Sequence, residues 1–368
     1  MTKAEIGPGK IKHLKEVIDS LECRKLLLVR GENSFKNFSA KIIDSICIEH
    51  STFIVSKSRI SVEYLKEGLE YYAENNFDSV LCVGGGSVID MGKLISIFSS
   101  NRAPFTEYLD HNKKLNNRSN SLIAVPTTSG SGSEATHFAV LFKGSTKYSV
   151  ANQSILPDFA IVDSELTYSV PKLQVAISGM DALCQGIESF WSPKADKESR
   201  EFSRRSIKLI FENIENAVLT SDIDALKMMS EGSYYAGKAI NIAKTTGAHA
   251  LSYPLNYFFG IPHGHAVALS IPYFYELNGA ENDSKNKVIS KRMSELNTIL
   301  GSDNCYEAAG ILRQKIRKIG LNLKLPKIIV YDKEVSKIIS NVNFERLNNN
   351  PVKIDEQSIK NIFKSLCH

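Results

Sequence analysis

Short apolar runs alternate with amphipathic stretches along the first 165 residues. Runs at 25–29 (KLLLV), 52–55, 79–83 (SVLCV), 122–125 and 160–162 predict buried strands. Between them, apolar residues recur at helical spacing over about 11–21, 40–46, 62–74 and 88–98. This alternation predicts a parallel sheet flanked by helices. After Pro171 the strand pattern gives way to long helical periodicities at 173–189, 197–219 and 224–242, followed by shorter segments. The change at 164–171 places a boundary between an α/β domain over 1–165 and an all-helical domain over 166–368. At 368 residues the chain is longer than one core usually organises, which agrees with two domains.

Composition removes several classes of function. A net charge of +5, with basic and acidic residues interspersed, describes a solvated surface and no nucleic-acid footprint. No run of about 18 apolar residues occurs, so no membrane partner is expected. Six cysteines without a CxxC pair fit reduced thiols, and a cytoplasmic location is expected.

Three constellations carry candidate chemistry. Gly84-Gly85-Gly86-Ser87 follows a predicted strand and opens a helix. Glycines there let backbone N–H groups approach a pyrophosphate at a helix N-terminus; a plain tight turn is the alternative. The usual GxGxxG after the first strand is missing, because Val29 is followed by Arg30-Gly31-Glu32. A second loop, 126–134 (PTTSGSGSE), offers hydroxyls and glycines for a polar ligand. In the helical half, Asp181 and Gln185 are spaced i, i+4 on one helix face, while His249 and His263 flank a Gly-Ile-Pro break. Asn241, Thr245, His249 and Tyr253 recur every four residues and predict a polar stripe on one helix. One carboxylate and two imidazoles could bind a divalent metal with a position left for substrate; each could instead be a satisfied core residue. His265 is read as a bystander or a supporting group.

Taken together, GGGSVIDMGK, PTTSGSGSEAT, SGMDALCQGIES and HALSYPLNYFFGIPHG, in this order, resemble the signatures of the iron-containing (group III) alcohol dehydrogenases. The resemblance implies a dehydroquinate synthase-like architecture, with the active site in the cleft between a nucleotide-binding and a metal-binding domain. It implies metal ligands at Asp181, His249 and His263, a pyrophosphate loop at Gly85, Gly86 and Ser87, and a second nucleotide loop at Thr127, Thr128 and Ser131. Two positions depart from the pattern: Gln185 stands where the family usually has a fourth, histidine ligand, and Tyr253 where a histidine is common. The combination is similar to the phosphonoacetaldehyde reductase branch, which reduces phosphonoacetaldehyde to 2-hydroxyethylphosphonate.

The resemblance therefore implies a metal-dependent reduction of a small aldehyde by a nicotinamide cofactor; a homodimer is one assembly the chain could form, and the sequence does not fix it. Fe²⁺ or Zn²⁺ would act as Lewis acid beside His249, with Tyr253 as proton relay or as a packing residue. Gln185 would be a weak fourth ligand or a hydrogen-bond partner. Gly31, where an NAD-selective relative carries Asp, points to NADPH over NADH. Lys244, Asn241 and Thr245, with Lys238 nearby, are the candidate contacts for an anionic head group. Two alternatives stand beside this reading: a dehydroquinate synthase-like lyase that uses the cofactor transiently, and a metal-free nucleotide-binding relative.

Overall fold

The computed structural model describes residues 2–367 except 33, 102, 112, 145, 281–285, 326–337, 340 and 343. Its contacts divide the chain into two compact units, Met1–Val170 and Pro171–His368.

The first unit is built on a six-stranded parallel sheet. Its strands are β1 (Lys3–Ile6), β2 (Lys25–Gly31), β3 (Glu49–Val55), β4 (Ser79–Gly84), β5 (Ser121–Pro126) and β8 (Phe159–Val162), in the order β1-β8-β5-β4-β2-β3. All five predicted strands are present. The central β4 is buried along its whole length, which explains its unbroken apolar run. Helices α1 (Leu14–Ser20), α2 (Ser39–Ile43), α3 (Val62–Asn75), α4 (Gly86–Phe98) and α5 (Phe105–Leu109) connect the strands. Two apolar clusters cover the sheet, one around Leu27, Val80 and Ile95, the other around Leu26, Leu81 and Ile123. Adjacent residues of one strand point into opposite clusters, as the pleat requires.

Sequence reading did not anticipate β1 or the antiparallel hairpin of β6 (Phe138–Lys143) and β7 (Thr146–Ala151). Four-residue β1 lies at the sheet edge and buries none of its residues fully, so it has no apolar run to announce it.

The second unit is helical among its described residues: α6 (Lys172–Trp191), α7 (Lys197–Leu219), α8 (Ile223–Ala243), α9 (Gly247–Phe259), α10 (His263–Ala280), α11 (Lys287–Leu300) and α12 (Cys305–Lys318), then short helices Phe344–Leu347 and Glu356–Cys367. Helix α6 is buried from Val175 to Trp191 and packs against α7, α8 and α10. Burying an α6 carboxylate is therefore costly unless it is paired.

One expectation fails here. The polar stripe Asn241–Thr245–His249–Tyr253 does not lie on one helix, because α8 stops at Ala243 and α9 begins at Gly247. Lys244 ends α8 with a left-handed φ of 58°. The Thr-Thr-Gly that follows has poor helix propensity. Only His249 and Tyr253 share a helix, one turn apart; Asn241 is at the end of α8, and Thr245 is buried in the break.

Candidate metal and dinucleotide sites

In the first unit, the carboxyl ends of β4 and β5 lie side by side and release the two glycine- and hydroxyl-rich loops. The connection from β2 runs outward to β3 and that from β4 runs the other way to β5, so the crevice between β2 and β4 is the switch point of the sheet. Gly31 ends β2 at this crevice, and Gly84–Gly86 lead from β4 into α4. The two loops touch: Thr127 N–H donates to the Gly84 carbonyl at 3.0 Å. A Cβ on Gly86 would lie 2.7 Å from Ser131 Oγ, so only glycine permits this approach. The structure thus brings Gly85, Gly86, Ser87, Thr127, Thr128 and Ser131 together. Thr127 Oγ1 is buried and has no hydrogen-bond partner among the described residues, which fits a polar ligand at this place.

Two charged residues missed at the sequence level hold the second loop. Lys93, fully buried on α4, donates to the carbonyls of Ser133, Thr136 and Phe138 and to Thr136 Oγ1. One turn earlier, Asp90 accepts from Ser133 Oγ at 2.6 Å and from Val140 N–H at 3.0 Å. Burial lowers the Lys93 pKa to about 8 against the pull of Asp90 and Glu134, and burial raises that of Glu134 to about 7. The signal was available as Asp and Lys three residues apart inside an apolar helix.

In the second unit, Asp181, His249 and His263 converge, with one ligand atom of each within 4.8 Å of the others. Helix α6 supplies Asp181, α9 supplies His249 and the first residue of α10 supplies His263. The start of α10 reaches α6 because Gly264 has no side chain: a Cβ there would sit 2.1 Å from the Ile177 carbonyl oxygen. Gln185 is buried on the same α6 face as Asp181, one turn on.

Glu188, a further turn along that face, is the main residue the sequence reading overlooked. Its fully buried carboxylate accepts from the N–H groups of Thr246, Ala248 and His249 and from Thr246 Oγ1, so it caps the start of α9. Its other oxygen contacts His249 Nδ1. The Nδ1–H of His249 therefore goes to Glu188, and Nε2 points at Asp181 Oδ1, 3.2 Å away. Ser252 does the same for His263. Its hydroxyl donates to the His249 carbonyl at 2.7 Å, leaving Oγ to accept from His263 Nδ1–H at 3.2 Å. The second Nε2 then also faces Asp181 Oδ1, at 3.8 Å.

Two imidazole lone pairs and a carboxylate oxygen thus converge, an arrangement that repels itself unless a cation lies among them. Burial presses the His249 pKa down, but the Glu188 and Asp181 carboxylates outweigh it and hold the pKa above its usual value, the response of a ring in a cation-seeking pocket. The His249 side chain is 3% exposed and that of His263 39%, so the cluster opens at His263.

The other predicted residues divide. Tyr253 stacks on His263, ring centroids 6.0 Å apart and 6° between planes. Thr245 Oγ1 accepts from Arg346, a residue with no sequence-level signal. Lys238 lies over the Phe202 ring at 4.5 Å, on the α7 side of α8. His265 bonds to the Asn322 carbonyl at 2.7 Å.

A switch-point crevice on a parallel sheet, and a carboxylate–imidazole cluster on a helical unit, fit an enzyme that uses a dinucleotide and a divalent metal. The iron-containing alcohol dehydrogenase family matches residues 2–164, and the C-terminal part of the Fe-containing alcohol dehydrogenase family matches residues 175–367. The chain belongs to this family. It is 33% identical over 271 residues to long-chain-alcohol dehydrogenase 1 of Geobacillus thermodenitrificans, covering 72% of this chain and 67% of that one. It is 27% identical to the NADPH-dependent butanol dehydrogenase of Clostridium saccharobutylicum, over 98% of this chain and 95% of the relative. Among solved structures, the sulfoacetaldehyde reductase of Bifidobacterium kashiwanohense in complex with NAD⁺ superimposes with a TM-score of 0.91 at 27% identity, covering 100% of this chain and 97% of that one. The protein is an alcohol dehydrogenase with NAD(P) and a divalent metal as cofactors, and family membership decides for the oxidoreductase over the lyase. No described helix is long and apolar enough to cross a membrane.

Proposed function

We propose that the enzyme reduces a small anionic aldehyde, phosphonoacetaldehyde to 2-hydroxyethylphosphonate, with NADPH and one divalent cation, Fe²⁺ or Zn²⁺. Asp181, His249 and His263 hold the cation, with Gln185 as a weak fourth ligand. The observation that carries this reading is the convergence of both Nε2 atoms on Asp181, enforced by Glu188 and Ser252. When bound, the cation polarises the substrate carbonyl and the nicotinamide supplies hydride.

The chain's own residues do the rest. Glu188 and Ser252 fix the tautomers of the two histidines, and Tyr253, whose ring stacks on His263, serves as the proton relay to the product oxygen in this reading. Lys244, beside Thr245 in the α8–α9 break, adds positive charge for an acidic head group. Resemblance to a sulfoacetaldehyde reductase supports an aldehyde with an anionic terminus. NADPH is favoured because Gly31 leaves room at the end of β2, while Arg30 rests over Phe35 at 4.8 Å. None of the six cysteines forms a disulfide, which supports a cytoplasmic setting.

Chelation should abolish phosphonoacetaldehyde reduction, and added Fe²⁺ or Zn²⁺ should restore it. Full turnover by a rigorously metal-free preparation, or by a His249→Ala, His263→Ala double variant, would overturn the metal assignment.

A further inference from the structure

Tyr253 and Thr245 both contact a cation from a distant part of the chain. Arg346, on the short helix Phe344–Leu347, donates to Thr245 Oγ1, and its guanidinium lies over the Tyr253 ring at 5.5 Å. The other face relationship of that tyrosine is its stack on His263. Tyr253 thus contacts both the guanidinium and His263, the more exposed histidine of the cluster.

Buried amides lock the segment in place. Asn349 Nδ2 donates to Ser192 Oγ at 3.0 Å, to the Ala243 carbonyl at 3.0 Å and to the Thr245 carbonyl at 3.1 Å. Asn350 is buried and pairs with Asn278 at 2.7 Å. The α8–α9 break and the Arg346 segment are thus tied together, which lowers the ordering cost of ligand binding.

We infer that Arg346 is the specificity-determining residue for the acidic end of the substrate, taking a phosphonate or sulfonate whose carbonyl is directed to the metal cluster. The inference rests on the anionic-aldehyde reading above. Its chemistry is that of guanidinium: always charged, partly desolvated, and carrying a planar fork of donors that matches an oxyanion in pairs. Thr245 fixes the orientation of the fork, and the face of Tyr253 supports its plane. Lys244, next to Thr245, adds to the same field. A neutral aldehyde of equal length would use the metal and Tyr253 but leave this guanidinium idle, so discrimination belongs to Arg346.

The test compares phosphonoacetaldehyde, sulfoacetaldehyde and propanal on metal-loaded wild type, Arg346→Gln and Arg346→Lys. In wild type, kcat/KM should favour the two anionic aldehydes. Arg346→Gln should lower the anionic-to-propanal ratio roughly 20- to 100-fold, mostly through KM, the scale of a lost charge-assisted contact. Arg346→Lys, a point charge without the fork, should recover only part of it. Calorimetry should show 2-hydroxyethylphosphonate binding weakened by a similar factor in Arg346→Gln. An unchanged ratio and unchanged product affinity, in a wild type that does prefer anionic aldehydes, would overturn the role of Arg346 alone. A wild type without that preference would overturn the substrate reading itself.

Discussion

Glu188 shows how one buried carboxylate can serve folding and chemistry together. Its oxygens cap α9 and hold His249 Nδ1, so the start of the helix and the tautomer of the ligand are set by the same group. In Glu188→Gln the carbonyl oxygen can still cap, but the neutral amide no longer makes His249 a stronger donor. Metal affinity should fall about 10- to 100-fold, the usual effect of losing a partner behind a ligating histidine. Chelator competition checks this, and equal affinity in folded wild type and variant would refute it. Gly31 is a second single-residue control, on the NADPH proposal, since it puts no side chain at the end of β2. Gly31→Asp should shift the NADPH-to-NADH ratio of kcat/KM toward NADH by at least about tenfold, because a carboxylate repels the phosphate and accepts from the 2′-hydroxyl. Wild type that favours NADH would remove the basis for the prediction. Gly31 was noticed in the sequence because of what it lacks. Glu188 was not, although it follows Gln185 at i+3, the other spacing that keeps a helix face.

Between elements, charge buried on α4 decides where the 126–134 loop ends. Lys93 and Asp90 hold the end of that loop at Ser133 and the chain that follows at Thr136, Phe138 and Val140, and Glu134 lies buried in the loop itself. This ties stability to pH with a definite sign. Burial raises the Glu134 pKa to about 7 from an ordinary 4.5, so between those values the native state holds a proton that the unfolded chain has released. The Glu134 contribution must then decline as pH rises from about 4.5 to 7. Glu134→Gln lacks this dependence, and the stability of wild type relative to the variant should be greater at pH 5 than at pH 7, by about 2 kcal/mol. Melting temperatures across that range test the sign, and a difference that is flat or grows with pH would contradict it. Elements also explain the failed stripe: periodicity alone ran α8 into α9, whereas the N–H groups freed at the break are taken up by Glu188.

For the whole molecule, the two halves were legible to different depths. Local pattern was enough for the parallel sheet, because buried strands need unbroken apolar runs and the helices between them need a 3.6-residue period. It was also enough for the long helices, and for the loops where glycine and hydroxyl groups are concentrated. Those are short-range properties, written within a dozen residues. The short edge strand β1 carries no such pattern, since an edge needs little burial. What the sequence left open depends on residues far apart in the chain. Asp181 meets His249 across 68 positions, and Arg346 meets Thr245 across 101. No period encodes such meetings; helix packing and close approaches such as Gly264 on Ile177 create them. Which nitrogen of each histidine faces Asp181, and which cation lies over Tyr253, follow from that packing.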